Sequence, residues 1–345
     1  MSNDVHYSDY LQLKKILDAQ DPESVRRGEP AHDEMLFIVI HQTYELWFKQ
    51  LLFETDSIIQ IMQQPSLNDN SPELQTVVHR LARCVGILKV LVHQIDIMET
   101  MTPMDFLDFR DMLRPASGFQ SWQFKLLEAR LGLRFEHRYG QQYYISQLRQ
   151  PEIDIIKTAE KGPTLLELVN TWLERMPFGD DFWKEYRQRY LESLADNEKA
   201  NLDLFDRIFF GDASPEGPSG ESRSLSSSAC RAALFIMLYR GYPILQLPFQ
   251  VLNQLLEIDE QLSTWRYRHM SMVHRMIGTR IGTGGSTGKD YLGAALNKHH
   301  LFKEIAGLTS FLIERKKLPQ LDAEMERRLG FAAGRATGPA AEGQL

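Results

Sequence analysis

Apolar residues recur every three or four positions through most of this 345-residue chain, and the alternation typical of β-strands is nearly absent. This spacing places apolar side chains along one face of a helix. It predicts an all-α fold built on a large helical bundle. The longest periodic segments, at about 31–64, 72–101 and 244–276, are expected to form the core of this bundle. Other periodic segments predict further helices, among them one at 180–209 and one at 287–296.

The length of the chain is compatible with one large domain. We expect a single all-α domain over 1–331, followed by a tail over 332–345 that is expected to be disordered. A more polar stretch at about 135–228 is expected to form a peripheral helical insert within this domain. Its last part, 211–228, is rich in Gly, Pro and Ser and is typical of a flexible connection.

Composition excludes several classes of function. The net charge of −7 argues against a nucleic-acid partner or an anionic membrane surface, because both attract basic proteins. The longest apolar runs are far shorter than the roughly 20 residues of a membrane span. The two cysteines lie far apart in the sequence and cannot form a disulfide framework. With no visible signal peptide, these features predict a cytoplasmic location.

One predicted helix carries a histidine in the middle of its apolar face. In the segment from His32 to Phe48, the side chains of Phe37, His41, Tyr44 and Phe48 share one side of the helix. A buried imidazole needs a polar partner, because burying it unpaired costs about 1–3 kcal/mol. The partner is a side chain, a metal or a substrate, and a satisfied core histidine is the more common case.

His269 presents the same question on a second predicted helix, where Trp265 and Met272 lie on the same side. Two histidines with aromatic neighbours on separate helices are compatible with haem between them, although their spacing alone does not require iron. His269 and His274 lie about 140° apart around a helix, so they cannot grip one metal together. A zinc enzyme is not expected.

Two further segments have the chemistry to bind an amino acid. The glycine-rich loop at 282–289 lacks the P-loop and dinucleotide-binding patterns, and either grips a small anion or zwitterion or is a plain linker. Arg110 lies one helical turn from Phe106 and can bind a carboxylate bidentately, or form a surface salt bridge. Together these features describe a site for an aromatic amino acid.

Three strings of this sequence, His32 to Phe53, Pro115 to Ser121 and Trp265 to Gly288, resemble the tryptophan 2,3-dioxygenase family. The resemblance extends from about Tyr7 to Leu318. Members of this family are helical, haem-dependent enzymes that usually form homotetramers. The resemblance implies that the chain is a haem-dependent dioxygenase. Its reaction would be cleavage of the indole C2–C3 bond of L-tryptophan with O2 to N-formyl-L-kynurenine, the first step of tryptophan catabolism through kynurenine.

The resemblance also implies roles for individual residues. His269 would be the axial iron ligand of one non-covalently bound haem b per subunit, and His41 would bind the indole N–H as the catalytic histidine. The other implied substrate contacts are Phe37 and Phe106 in the indole pocket, Arg110 on the carboxylate, Thr283 on the head group, and Tyr7 and Tyr10 from a neighbouring subunit. Some family members have tyrosine where this chain has Phe106, which removes a hydroxyl but keeps the pocket wall.

From the residues alone, three other functions remain open. A related haem enzyme would oxidise another indole or aromatic amino acid. A haem-based sensor of oxygen or redox state would absorb as haem but form no product. A haem-free helical scaffold would show no haem absorption at all.

Overall fold

The computed structural model describes residues 4–135, 138, 146–176, 180–211, 223–280 and 300–330. Within these ranges the regular structure is helical and contains no strand, which confirms the predicted all-α fold. The α-helices are α1 Tyr7–Tyr10, α2 Leu13–Leu17, α3 Glu23–Arg26, α4 Glu34–Met62, α5 Pro72–Met98, α6 Pro103–Arg110, α7 Trp122–Leu131, α8 Gln150–Lys161, α9 Leu165–Glu174, α10 Asp180–Ser193, α11 Asn201–Phe209, α12 Ser227–Leu238, α13 Gln246–Ile277, α14 Lys303–Gly307 and α15 Ala323–Arg328.

The three longest helices, α4, α5 and α13, lie where the apolar periodicity predicts the core of the bundle. In α4 the buried side chains of Phe48, Leu51, Leu52 and Ile59 follow one another at helical spacing. This apolar face stabilises the helix by burial, since helix propensity alone stabilises an isolated helix only weakly.

The chain divides into two compact units. The first consists of Met1–Gln60, Arg80–Leu166 and Glu257–Leu301, and the second of Ile61–His79, Glu167–Leu256 and Phe302–Leu345. The stretch predicted as an insert, about 135–228, is shared between them, with the division after Leu166. The single domain over 1–331 stays a prediction.

The second unit has an aromatic core. Its fully buried rings include Trp183, Tyr186, Phe205, Phe209 and Phe311. The hydroxyl of Tyr186 donates a hydrogen bond to the carbonyl of Phe311 at 2.7 Å, which satisfies the polar end of a ring that is otherwise surrounded by apolar atoms.

The segment at 180–209 forms two helices, α10 and α11, where the periodicity predicts one. The break contains Asp196 and Asn197, whose short polar side chains compete with helical hydrogen bonding. There the carboxylate of Glu198 accepts a hydrogen bond from the backbone N–H of Ala195 at 3.1 Å. The predicted helix at 287–296 and the predicted tail at 332–345 lie outside the described residues.

No described helix combines the length and the apolar composition that crossing a membrane requires. Cys84 and Cys230 are both buried and both free thiols.

Candidate active site

His41 lies near the start of α4, where the backbone fixes the position of its ring proton. Its Nδ1 is 2.7 Å from the carbonyl oxygen of Phe37, one helical turn earlier. A carbonyl only accepts hydrogen bonds, so Nδ1 is the donor and carries the proton of the neutral imidazole. Nε2 therefore has a free lone pair and acts as a hydrogen-bond acceptor.

The protein around His41 favours its neutral form. Desolvation lowers the pKa of His41 and outweighs the hydrogen bond to Phe37 and the charge of Glu45, which both raise it. The side chain is nevertheless exposed to solvent. The imidazole therefore has protein around it and one side open to water.

Aromatic rings adjoin His41 on one side. The ring of Phe37 lies 4.1 Å from that of His41 and 5.7 Å from that of Phe106, centroid to centroid. Phe109 is fully buried and meets Phe37 edge-on at 5.6 Å. These rings form an apolar wall with the edge-to-face and stacked geometries that aromatic pairs prefer.

The start of α6 determines where this helix places its side chains. Thr102 caps the helix: its Oγ1 accepts from the N–H of Asp105 at 3.3 Å, and its own N–H donates to the Asp105 carboxylate at 2.8 Å. Pro103 occupies the first turn, where its missing N–H does no harm. The cap thereby holds Phe106 in the wall and Arg110 at the last position of the helix, where it is 4% exposed.

His269 lies on α13 and is also neutral near pH 7. Burial, with a smaller effect from the nearby His41, lowers the pKa of His269 to about 4. Its Nδ1 is buried and has no hydrogen-bond partner in the described part of the chain. Leaving a polar atom buried in this way costs about 1–3 kcal/mol unless a ligand or water interacts with the ring.

The indole ring of Trp265 holds His269 in place. The two rings lie parallel, 1° apart in plane, with centroids separated by 5.3 Å. Trp265 in turn contacts the rings of Phe124 at 4.9 Å, Tyr44 at 6.1 Å and Phe48 at 6.3 Å. We refer to Tyr44, Phe48, Phe124 and Trp265 as the aromatic layer. Since α4, α7 and α13 all contribute rings, these helices together set the orientation of His269.

A buried group of charges also holds α13. Arg266, one turn before His269, donates to the carboxylate of Glu128 at 2.7 Å, and Arg138 donates to its other oxygen at 2.6 Å. All three side chains are buried. Each guanidinium therefore has a hydrogen-bonded carboxylate partner, as buried charges require.

The residues present fit a haem group. Met272 and Met276 of α13 belong to the same apolar cluster as Phe37 and Phe106, beside the two neutral imidazoles. A neutral imidazole is the form that ligates iron. The described residues contain no group of three or more side chains able to hold a metal ion. A single histidine ligand such as His269, beside apolar walls, suits a metal whose remaining ligands come from a porphyrin.

The structure brings together several of the side chains predicted from sequence. His41, Phe37 and Phe106 are neighbours, and His269 lies close enough for His41 to affect its pKa. Tyr7 and Tyr10, on α1, are 70% and 75% exposed. Thr283 lies outside the described residues, so its predicted contact has no structural counterpart.

Sequence reasoning missed Phe109, Phe124 and the Glu128 charge group. Phe109 follows Phe106 at helical spacing, so periodicity was an available signal. No local signal identifies Phe124 as a neighbour of Trp265, because that contact joins segments about 140 residues apart. Charged residues on a predicted helix are normally expected to face solvent, so a buried position was not expected for Glu128.

Comparison with a family model and comparison with individual known proteins point to the same family. The family model for tryptophan 2,3-dioxygenase matches residues 1–206 and 218–312. A tryptophan 2,3-dioxygenase of Bdellovibrio bacteriovorus is 44% identical, over 95% of this chain and 98% of that protein. One from Alteromonas mediterranea is 44% identical, over 94% and 97%, and one from Dictyostelium discoideum is 42% identical, over 95% and 88%. This chain belongs to the tryptophan 2,3-dioxygenase family.

Proposed function

We propose that this chain cleaves the C2–C3 bond of the indole ring of L-tryptophan with O2, using haem b, and releases N-formyl-L-kynurenine. Family membership supports the reaction. The observation that carries the assignment of the site is the pair of neutral histidines, His41 and His269, beside one apolar cluster. The reaction would supply the first step of tryptophan catabolism through kynurenine.

His269 is proposed to hold the haem iron, with one haem per subunit. Its low pKa means that it need not lose a proton to become a ligand at pH 7. The parallel indole of Trp265 limits rotation of the imidazole, so the ligand is oriented before the cofactor arrives. Haem, when bound, supplies the site at which O2 binds and is activated.

His41 is proposed to orient the substrate. Its Nε2, left unprotonated by the hydrogen bond from Nδ1 to Phe37, is an acceptor suited to the indole N–H. An indole N–H is far too weak an acid for an imidazole with a lowered pKa to ionise readily. His41 therefore acts by positioning the indole through a hydrogen bond, and not by removing its proton.

The rest of the proposed substrate site matches the two ends of an aromatic amino acid. Phe37 and Phe106 would contact the faces or edges of the indole ring, from which their stacked wall also excludes water. Arg110, at the end of α6, would bind the carboxylate through its planar guanidinium. Thr283 would contact the head group from the glycine-rich loop.

We further propose a homotetramer. One face of α4 presents Met35, Val39, Leu46 and Phe53 to solvent, and Phe53 is 71% exposed. Val39, Leu46 and Phe53 are seven residues apart, which aligns them along the helix in the manner of helices that pair. An exposed apolar stripe of this kind is typical of a protein interface. We call these four residues the α4 stripe.

The N-terminal segment is proposed to complete the site of a neighbouring subunit. Tyr7 and Tyr10 expose most of their ring surface within one chain, although aromatic side chains gain stability from burial. Insertion into a partner's pocket would bury them. The two free, buried thiols, Cys84 and Cys230, are compatible with the proposed cytoplasmic location, where thiols stay reduced.

Variants of three histidines test the proposal. The protein purified with haem should convert L-tryptophan and O2 to N-formyl-L-kynurenine. H269A should lose the five-coordinate ferrous haem spectrum. H41A should keep haem but lose about 5- to 150-fold in kcat/KM, which corresponds to one hydrogen bond of about 1–3 kcal/mol. H274A, which removes an exposed histidine of the same helix, should behave like the unchanged protein.

The outcomes separate the competing functions. An unchanged haem spectrum in H269A would reject the ligand assignment. Haem absorption without product from L-tryptophan would favour a sensor, and product from another aromatic amino acid alone would favour a related oxygenase. Absence of haem absorption would leave only a helical scaffold.

A further inference from the structure

A small cavity lies inside the first unit, between helices α4, α5, α7 and α13 and the first residue of α9, Leu165. It is lined by Leu51 of α4, Leu81 and Cys84 of α5, Leu127 of α7 and Leu262 of α13, with further apolar side chains from the same unit. It has room for about one molecule the size of water. Interiors are packed with few voids as large as this, so the cavity is a distinct feature of the core.

The wall of the cavity favours an apolar guest over water. Nearly all of its surface is apolar. The polar atoms nearest to it belong to Thr55 and Cys84, and these two side chains interact with each other. A buried water needs two to four polar partners, whereas apolar cavities stay dry and accept apolar molecules and xenon.

The cavity lies one helical turn beyond the aromatic layer on three separate helices. Leu51 follows Phe48 by three residues, Leu127 follows Phe124 by three, and Leu262 precedes Trp265 by three. Three residues of helix correspond to about 4.5 Å.

The two histidines lie on the other side of the same layer. His41 precedes Phe48 by seven residues, and His269 follows Trp265 by four. The aromatic layer therefore separates the cavity from the candidate active site, and both lie within the first unit.

We propose that this cavity is a binding site for O2 that supplies the active site through the aromatic layer. The inference rests on the proposed reaction, which consumes O2. O2 is small, apolar and uncharged, so it matches the apolar wall of the cavity. Side chains in a packed interior do change rotamer, so a displacement of the rings of the layer would open a short path.

Xenon is a direct probe of this site, because it marks apolar cavities without taking part in the reaction. In crystals of the haem-loaded protein held under xenon pressure, we expect a xenon atom between Leu51, Leu81, Leu127 and Leu262. Ordered water in this cavity, or an empty cavity under xenon, would overturn the proposal. Xenon binding does not depend on turnover. The test of the cavity therefore gives a result even if the proposed reaction is not observed.

Substitutions of Cys84 test the role in O2 supply. C84L fills the cavity and should abolish xenon binding and raise the KM for O2 several-fold, with the KM for L-tryptophan unchanged. C84A enlarges the cavity and should bind more xenon, which keeps the test available if C84L does not fold. C230L, at a buried cysteine that does not line the cavity, controls for the added volume. If C84L loses xenon binding but its KM for O2 does not change, the cavity has no role in supplying O2.

Discussion

Two opposed effects determine the pKa of His41. Its hydrogen bond to Phe37 and the charge of Glu45 favour the protonated ring, whereas desolvation favours the neutral ring and has the larger effect. Because the protonated ring has no lone pair, it cannot accept a hydrogen bond from an indole N–H. The proposed positioning role therefore needs the neutral form.

The dependence of activity on pH follows from this requirement. Since burial lowers the pKa of His41 below the ordinary 6.5, the acidic decline of kcat/KM for L-tryptophan should have its midpoint below pH 6.5. Below this midpoint kcat/KM should fall by up to about tenfold per pH unit, as the ring gains a proton. The measurement is a pH profile at constant haem content, checked by haem absorbance at each pH.

H41A is the matched control for this profile, because it should lack the acidic decline. A midpoint above pH 6.5, or a decline that persists in H41A, would contradict the assignment.

Individual residues of the site could be predicted to different extents. The shared face of Phe37 and His41 follows from helical spacing, whereas the place of Phe106 in the pocket was predicted only through the family resemblance. The structure makes all three neighbours. The tautomer of His41 could not be predicted, because it depends on the distance from Nδ1 to one carbonyl. Trp265 and His269 lie on the same helix, but the parallel orientation of their rings depends on contacts with rings from other helices.

At the scale of helices, Glu128 connects α7 to α13. Its two carboxylate oxygens accept from two buried arginines, Arg138 and Arg266. E128Q keeps the shape of the side chain and removes the negative charge that both arginines share. We expect E128Q to lower the free energy of unfolding by about 3–5 kcal/mol, the usual loss when a buried ion pair is broken on one side.

Urea denaturation of E128Q measures this loss. The control is D206N, which removes the carboxylate from the pair between Arg187 and Asp206, where both side chains are 36% exposed. Water screens that pair, so D206N should cost about 1 kcal/mol or less. Equal losses in the two variants would contradict the role of Glu128.

Long helices were predicted more accurately than short ones. The apolar periodicity of α4, α5 and α13 is sustained over many turns. An error of a few residues at either end therefore hardly changes the predicted helix. The division between α10 and α11 depends on a few residues around Asp196 that stop one helix and start the next. α8 lies in a polar segment where periodicity alone predicts no separate helix, and its first turn contains Pro151.

At the scale of the whole molecule, the α4 stripe is expected to join subunits. The double variant with Leu46→Glu and Phe53→Glu places two charges on this apolar face. We expect it to dissociate the tetramer, because charges buried in an interface without partners oppose association. Sedimentation velocity measures the mass, which should fall from about four times that of one chain.

T158E adds one carboxylate of the same kind at an exposed position of α8 and should leave the mass unchanged. A double variant that keeps the mass of the unchanged protein would show that the α4 stripe is not the interface. Sequence reasoning gave the tetramer only through family resemblance, because exposed apolar residues become recognisable as a surface only once the buried face of α4 is known.

The hydrogen bond that sets the acceptor nitrogen of His41 involves the main chain of residue 37 and none of its side-chain atoms. The size and shape of the side chain at 37 can therefore change without removing the hydrogen bond that fixes the tautomer of the neighbouring imidazole. Position 37 is thus a natural place to redesign the enzyme for bulkier ring-substituted indoles while its hydrogen-bonding chemistry is retained.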